Sequence, residues 1–218
     1  MSKVKLVVFD MDGTLLESRS CWAYIHEHFG TDNSEMLKLY IERKISDNDF
    51  VKADMELWQN STKNKVNEKY INSILDEIKP IKGAKELIED LHSKHLETVI
   101  ISGGIQYLAT KWAKKWKMKD ALANELIDDE NGKLKANINV RGNTKGPVME
   151  SLLKKMKIKE GEVISIGDTV VDLPLFERSK FSIAVNTDDS RVISKADYHH
   201  TSSDLSDLIP VINKLAKR

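Results

Sequence analysis

Cysteine is almost missing from this sequence. Cys21 stands alone among 218 residues, so no disulfide can close within the chain, and a reducing compartment is expected. Charge of one sign is missing too, because 34 basic residues balance 34 acidic ones. That excludes an overall positive field for nucleic acid and a polybasic membrane signal, and it favours a small-molecule partner. No apolar run approaches the length that crosses a bilayer. The opening MSKVKLVVF has too short an apolar stretch for a signal peptide, and no cleavage region follows it. Repeats and low-complexity segments are absent, and the lysine-rich stretches 111–119 and 154–159 read as solvated helix faces. The expectation is a cytoplasmic protein with neither nucleic acid nor membrane as partner. Its oligomeric state is not legible.

What is present suits one large core, or one core plus a smaller domain. Short apolar runs at Val4–Phe9, Thr98–Ile101, Val163–Ile166 and Phe181–Val185 read as buried strands. Between them, Gly83–Lys94 and Ile105–Lys117 carry apolar residues at helical spacing. Pro147–Lys157 starts with proline in its first turn, which suits a helix start, and Asp172–Ser179 reads as a short helix. The alternation predicts an α/β fold built on a doubly wound parallel sheet.

Two stretches break the alternation. Residues 17–78 are helix-like throughout, with breaks near Gly30–Asn33, Ser46–Asn48 and Asn60–Asn64. They follow the first strand directly, so they are expected to form an inserted helical cap, leaving 1–16 and 79–218 as the core. Trp22, Phe29, Trp58 and Tyr70 are its expected core, with Trp22 or Trp58 also placed to line a substrate pocket. In the second stretch, Asn124–Val140, the run Glu130-Asn131-Gly132 reads as a hairpin turn.

Ligands of parallel sheets bind beyond the carboxyl ends of the strands. After the first strand, in VVFDMDGTL, come Asp10, Asp12 and Thr14. Side chains at i and i+2 of a strand share a face, so the two acids crowd, and a positive group or a proton must relieve them. After the second strand come Ser102, Gly103 and Gly104, leading into a helix. After the third come Asp168 and Asp172, and Lys145 sits in the loop Asn143-Thr144-Lys145-Gly146 before a helix. Hard oxygen ligands suit Mg²⁺ shared with a substrate phosphate, placed between Asp10 and Asp168. Ser102 and the glycine amides form an anion site, and Lys145 adds a point positive charge. One carboxylate attacks phosphorus and gives an acyl phosphate. The other, Asp12, protonates the leaving oxygen and later deprotonates water.

The ordered set DMDGTL, ISGG, Lys145 and GDTVVDLPLF resembles the haloacid dehalogenase superfamily of phosphatases, along nearly the whole chain. The resemblance implies a Rossmann-like core and makes Asp10 the nucleophile and a magnesium ligand. It makes Asp12 the general acid/base, with its backbone carbonyl on the metal, and Asp168 the remaining metal ligand. Ser102 and Lys145 become phosphate binders, and Asp172 supports the metal's water shell and orients the lysine. The chain looks most like the phosphoserine phosphatase branch, which hydrolyses O-phosphoserine with Mg²⁺. It departs from that branch twice. Val171 stands where an asparagine is usual. Arg19 stands where a glutamate is expected, and Lys52 is the only base near the position of a substrate-binding arginine. Arg19 is therefore a candidate partner for a second anionic group on a different substrate, such as a phosphorylated sugar or acid.

Each residue alone has a plainer reading. A bare acid pair marks a turn, Ser102-Gly103-Gly104 a helix cap, Lys145 and Arg19 the surface, and Asp172 a cap for the next helix. Thr14 braces its loop without chemical work. His92 and His95 share helical spacing that suits either a metal or an exposed face. A phosphotransferase using the same intermediate and a non-catalytic phosphate-binding protein are the rival functions.

Overall fold

The computed structural model describes residues 3–141 and 144–216. A seven-stranded sheet forms its centre, in the order β4-β3-β2-β1-β5-β6-β7. The strands are β1 (Leu6–Phe9), β2 (Glu97–Ile105), β3 (Asp120–Asp128), β4 (Leu134–Asn137), β5 (Val163–Gly167), β6 (Phe181–Val185) and β7 (Tyr198–His200). All neighbours run parallel except β3 and β4. Central strand β1 sets Val8 opposite Val99 on one side and Ser165 on the other. Its side chains alternate between two cores. Val7 and Phe9 join the larger cluster, which contains Leu87, Leu108 and Leu208 of helices α5 (Ala84–Ser93), α6 (Gln106–Lys115) and α10 (Leu208–Ala216). Leu6 and Val8 meet Met149 and Leu152 of α7 (Lys145–Met156) on the opposite face. A strand covered on both faces reads as an unbroken apolar run, and LVVF is one.

Between β1 and α5 lie α1 (Cys21–Phe29), α2 (Ser34–Ile41), α3 (Asp47–Ser61) and α4 (Glu68–Leu75). Their ends are written in local chemistry. Ser20 accepts from the Ala23 amide at the start of α1, and Gly30 ends it in a left-handed turn with φ of 61°. Ser46 and Asp49 form a capping box on α3, and Asn67 accepts from the Tyr70 amide on α4. The buried Trp58 ring lies 6.1 Å from Trp22 and 6.5 Å from Phe29, both stacked, with the His26 edge at 5.3 Å. The chain leaves the core and returns side by side: the Glu17 amide donates to the Lys79 carbonyl and the Ile81 amide to Leu15, each at 2.9 Å.

Several expectations need correction. Strand β2 runs on through Ser102-Gly103-Gly104 to Ile105, with a register shift against β3 between Ile101 and Ile105. The two glycines therefore belong to a bulged strand end, and α6 starts only at Gln106. The hairpin strand reaches back to Asp120, because its first half pairs in parallel with β2 before its second half meets β4. Lys145 opens α7 instead of preceding it, and Asn143 lies outside the described residues. The helix expected at Asp172–Ser179 is confined to α8 (Leu173–Phe176). His95 lies beyond the end of α5 with φ of 60°, so it shares no helix face with His92, whose Nε2 pairs with Thr98 Oγ1 at 2.8 Å. The remaining short helix is α9 (Ser190–Ile193). Among the described residues, no helix is long and apolar enough to cross a membrane.

Trp58 is the one large ring that α1 and α3 share. Trp58→Ala is expected to lower unfolding free energy by about 3–5 kcal/mol, read by chemical denaturation. A loss below about 1 kcal/mol would show that the helices hold together without it.

Candidate active site

The carboxyl ends of β1, β2 and β5 meet at one edge of the sheet, and α7 delivers a lysine to it. Lys145 Nζ donates to Asp10 Oδ1 at 2.8 Å and to Asp172 Oδ1 at 2.6 Å, and all three side chains are buried. Asp172 Oδ2 accepts from the amides of Asp168 and Thr169 and from the Thr169 hydroxyl. Asp172 thus caps the turn 168–172, not α8, and both its oxygens are occupied. Thr14 Oγ1 donates to Asp168 Oδ1 at 3.1 Å, which braces that acid. Gly13 sits at φ of 74°, and a Cβ there would collide with Asp168 Oδ2, so only glycine fits.

Asp12 points elsewhere. Its Oδ2 accepts from the Cys21 amide, the first residue of α1, at 3.0 Å. Its Oδ1 is buried without a partner among the described residues. A Cβ on Gly104 would come within 2.7 Å of Asp12 Oδ2 and 2.9 Å of Cys21 Sγ, so glycine lets β2 pass close by. The Gly104 amide donates to Ser102 Oγ at 3.1 Å. These contacts put Gly104 beside Asp12, with Ser102 tied to the Gly104 amide.

The electrostatics are unbalanced. Four buried carboxylates face one ammonium. Burial pushes Asp10 up to about 7, with Lys145 opposing and Asp172 adding to it. Burial, then repulsion from Asp10 and Asp172, pushes Asp168 up to about 8. Burial also raises Asp12, against the Cys21 amide. Burial works against the Lys145 charge, but Asp10 and Asp172 outweigh it and hold the ammonium above the ordinary lysine range. One oxygen each from Asp10, Asp168 and Asp172 lies within 4.8 Å of the others. An all-oxygen set with surplus negative charge fits a hard divalent cation. The Asp12 carboxylate is not part of this cluster, and Asp172 is.

Two residues that sequence reasoning did not single out as site residues complete the frame. Asn186, after β6 with φ of 48°, donates from Nδ2 to the Gly13 carbonyl at 2.9 Å. Asn124 donates to the carbonyls of Gly103 and Val140 and accepts from the amides of Asn139 and Val140. Its side chain is fully used, which suits a buried amide. The available signal was an asparagine just past β6 and another inside β3. Trp22 Nε1 also donates to the Gly103 carbonyl at 3.0 Å, so the helical insertion touches the site directly. Arg19 and Val171 are not brought in: Arg19 is exposed, and Val171 is 39% exposed.

The family model for haloacid dehalogenase-like hydrolases matches residues 7–177. A phosphoserine phosphatase of Methanocaldococcus jannaschii is 27% identical over 84% of this chain and 85% of its own length. One of Campylobacter jejuni subsp. doylei is 28% identical over 96% and 100%. Against the phosphoserine phosphatase of Archaeoglobus fulgidus, 27% identical over 84% of this chain, the match covers 52% of that relative's length. A substrate-bound phosphoserine phosphatase complex superposes with a TM-score of 0.78 at 23% identity, over 97% of this chain and 99% of that one. With the family model matched from β1 to the turn after α8, this chain belongs to the haloacid dehalogenase-like hydrolases, as a phosphatase on the branch where these relatives lie.

Proposed function

We propose that the protein is a Mg²⁺-dependent phosphomonoester hydrolase that works through a phosphorylated Asp10. The observation that carries this reading is the Lys145 ammonium held between Asp10 and Asp172. It occupies Asp10 Oδ1, and among the described residues no hydrogen bond engages Oδ2, the oxygen that would attack. In the first step Asp10 bonds to phosphorus as the ester P–O bond breaks. Asp12 gives its proton to the leaving oxygen, and burial favours the protonated acid needed for that. In the second step water attacks phosphorus, Asp12 takes the proton, and the acyl phosphate bond breaks to give inorganic phosphate and free Asp10. Ser102, the Gly103 amide and Lys145 hold the phosphoryl oxygens. Asp10, Asp168 and the Asp12 backbone carbonyl would hold Mg²⁺, while Asp172 orients Lys145. The ion supplies charge to the phosphoryl group. Residues 17–78 act as a lid that excludes bulk water. A purely phosphate-binding role leaves the buried acid pair without a purpose.

The substrate is a small phosphorylated metabolite. O-phosphoserine is the first candidate, because the relatives are named for it. A different phosphorylated acid or sugar is the second reading, favoured because neither Arg19 nor Val171 offers a buried partner to an amino acid.

Asp10→Asn is expected to abolish phosphate release from every ester. Asp12→Asn is expected to slow alkyl esters by roughly 10²–10⁴-fold, yet still release one equivalent of nitrophenolate per enzyme from p-nitrophenyl phosphate, whose leaving group needs no acid. Full turnover by Asp10→Asn, measured as phosphate release, would rule out the covalent route.

The raised carboxyls give a pH test. Folded Asp10 and Asp168 hold protons up to about 7 and about 8, whereas unfolded they lose them near 4. Their contribution to metal-free stability is therefore full below about pH 4 and is lost as pH rises through 7 to 8. Both protons must leave before a cation binds. The rise in Tm on adding Mg²⁺ should be small at pH 5.5, large at pH 8.5 and absent in Asp168→Asn. A Mg²⁺-induced shift independent of pH in thermal scans would contradict the assignment.

A further inference from the structure

A cavity of about 1080 Å³ opens between α3 and the β3–β4 hairpin. None of the four acids lines it, but hydrogen bonds through Asn124 link its wall to Gly103. Asn139 and Arg141 form one end of its wall. The Asn139 amide donates to Asn124 Oδ1, and Asn124 Nδ2 donates to the Gly103 carbonyl, so one asparagine separates cavity from site. From Asn48 to Gln59 the α3 wall is about 16 Å long.

The lining is basic in a chain with no net charge. Lys52 enters from α3, Lys65 from the loop after it, and Lys133, Lys135 and Arg141 from the hairpin and its exit. The acids that face them are largely taken. Asp129 accepts from the amides of Asn131 and Lys133, and Glu125 accepts from Asn137 Nδ2. Glu56 reaches Lys52 only at 3.9 Å, with both side chains more than half exposed, an arrangement worth little. Arg141 shares Asp47 at 3.4 Å. Met55 from α3, and Leu134 and Ile138 from the hairpin side, supply apolar surface to the same cavity.

The acid cluster itself is closed, since Asp10, Ser102, Lys145 and Asp168 are all buried. A leaving group must extend away from it. We propose that it runs past Arg141 into this cavity. The physiological substrate is then a phosphomonoester with an apolar spacer and a second anionic group, longer than a three-carbon amino acid. The inference rests on the phosphatase reading and chooses the phosphorylated-acid alternative within it. Lys52 and Lys135, from opposite walls, replace Arg19 as the partners of the second anion. Serine esters satisfy the charge but leave most of the volume unfilled.

The test is kcat/KM for ω-carboxyalkyl phosphates from three to about ten carbons, with O-phosphoserine and p-nitrophenyl phosphate alongside. Efficiency is expected to rise with chain length until the carboxylate meets the lysines, by roughly tenfold or more. Lys52→Gln/Lys135→Gln should erase the rise and leave p-nitrophenyl phosphate turnover unchanged. A best rate with O-phosphoserine or the shortest chain overturns the proposal, as does an undiminished length preference in the double variant. Failure of every ester, p-nitrophenyl phosphate included, would instead overturn the phosphatase reading.

Discussion

One buried ammonium makes the rest of the site possible. Without Lys145, Asp10 and Asp172 would face each other in a low-dielectric pocket with nothing between them. Removing one member of such a buried set typically costs 3–5 kcal/mol, because it strands the other charges. The lysine does not settle the account, since Asp10 and Asp168 remain raised to about 7 and about 8. The fold holds these acids under electrostatic load and closes the site around them. That load is what makes a hard cation fit, and it is a property of burial as much as of sequence.

Holding that arrangement requires the backbone to come unusually close to side chains. A Cβ on Gly13, Gly104 or Gly167 would collide with Asp168, Asp12 or Asp172 respectively. Each glycine sits at or just past a strand end that passes close to an acid. Amides do the rest of the positioning. Asn124 ties β3 to the segment leading to α7, and Asn186 ties the exit of β6 to the Gly13 carbonyl. The parallel sheet sets these exits side by side, so five separated segments can aim at one point.

The fold's core was legible because its signals are local. An apolar run such as LVVF buries both faces of β1, and caps such as Ser46 with Asp49 are written within four residues. The acids were legible because strand ends in a parallel sheet point to one edge. The parallel half of β3 was not, since Asp120-Ala121-Leu122 has neither alternation nor an apolar run and is recruited only by pairing with β2. Nor was the extension of β2 through Gly103 and Gly104, because glycine after a strand reads as a turn until a neighbouring strand claims it. Arg19 lies outside the buried cluster for a similar reason. Spacing from Asp10 places it near the site, but the turn that lets Cys21 reach Asp12 leaves Arg19 facing solvent.

That turn couples the insertion to the acid/base. The Cys21 amide is the first of α1, and its bond to Asp12 Oδ2 places the carboxylate at a helix N-terminus, where the dipole favours the ionised form. Burial of the same carboxylate favours the protonated form. Trp22, the next residue, anchors α1 to the Gly103 carbonyl, and Trp22 stacks on Trp58 of α3. Displacing the helices would therefore do two things at once: it would take the amide from Asp12 and admit water to Asp12 Oδ1. The first change raises the acid's proton affinity and the second lowers it. In the proposed lid, closure and the proton balance of Asp12 are thus one variable, set by where α1 begins.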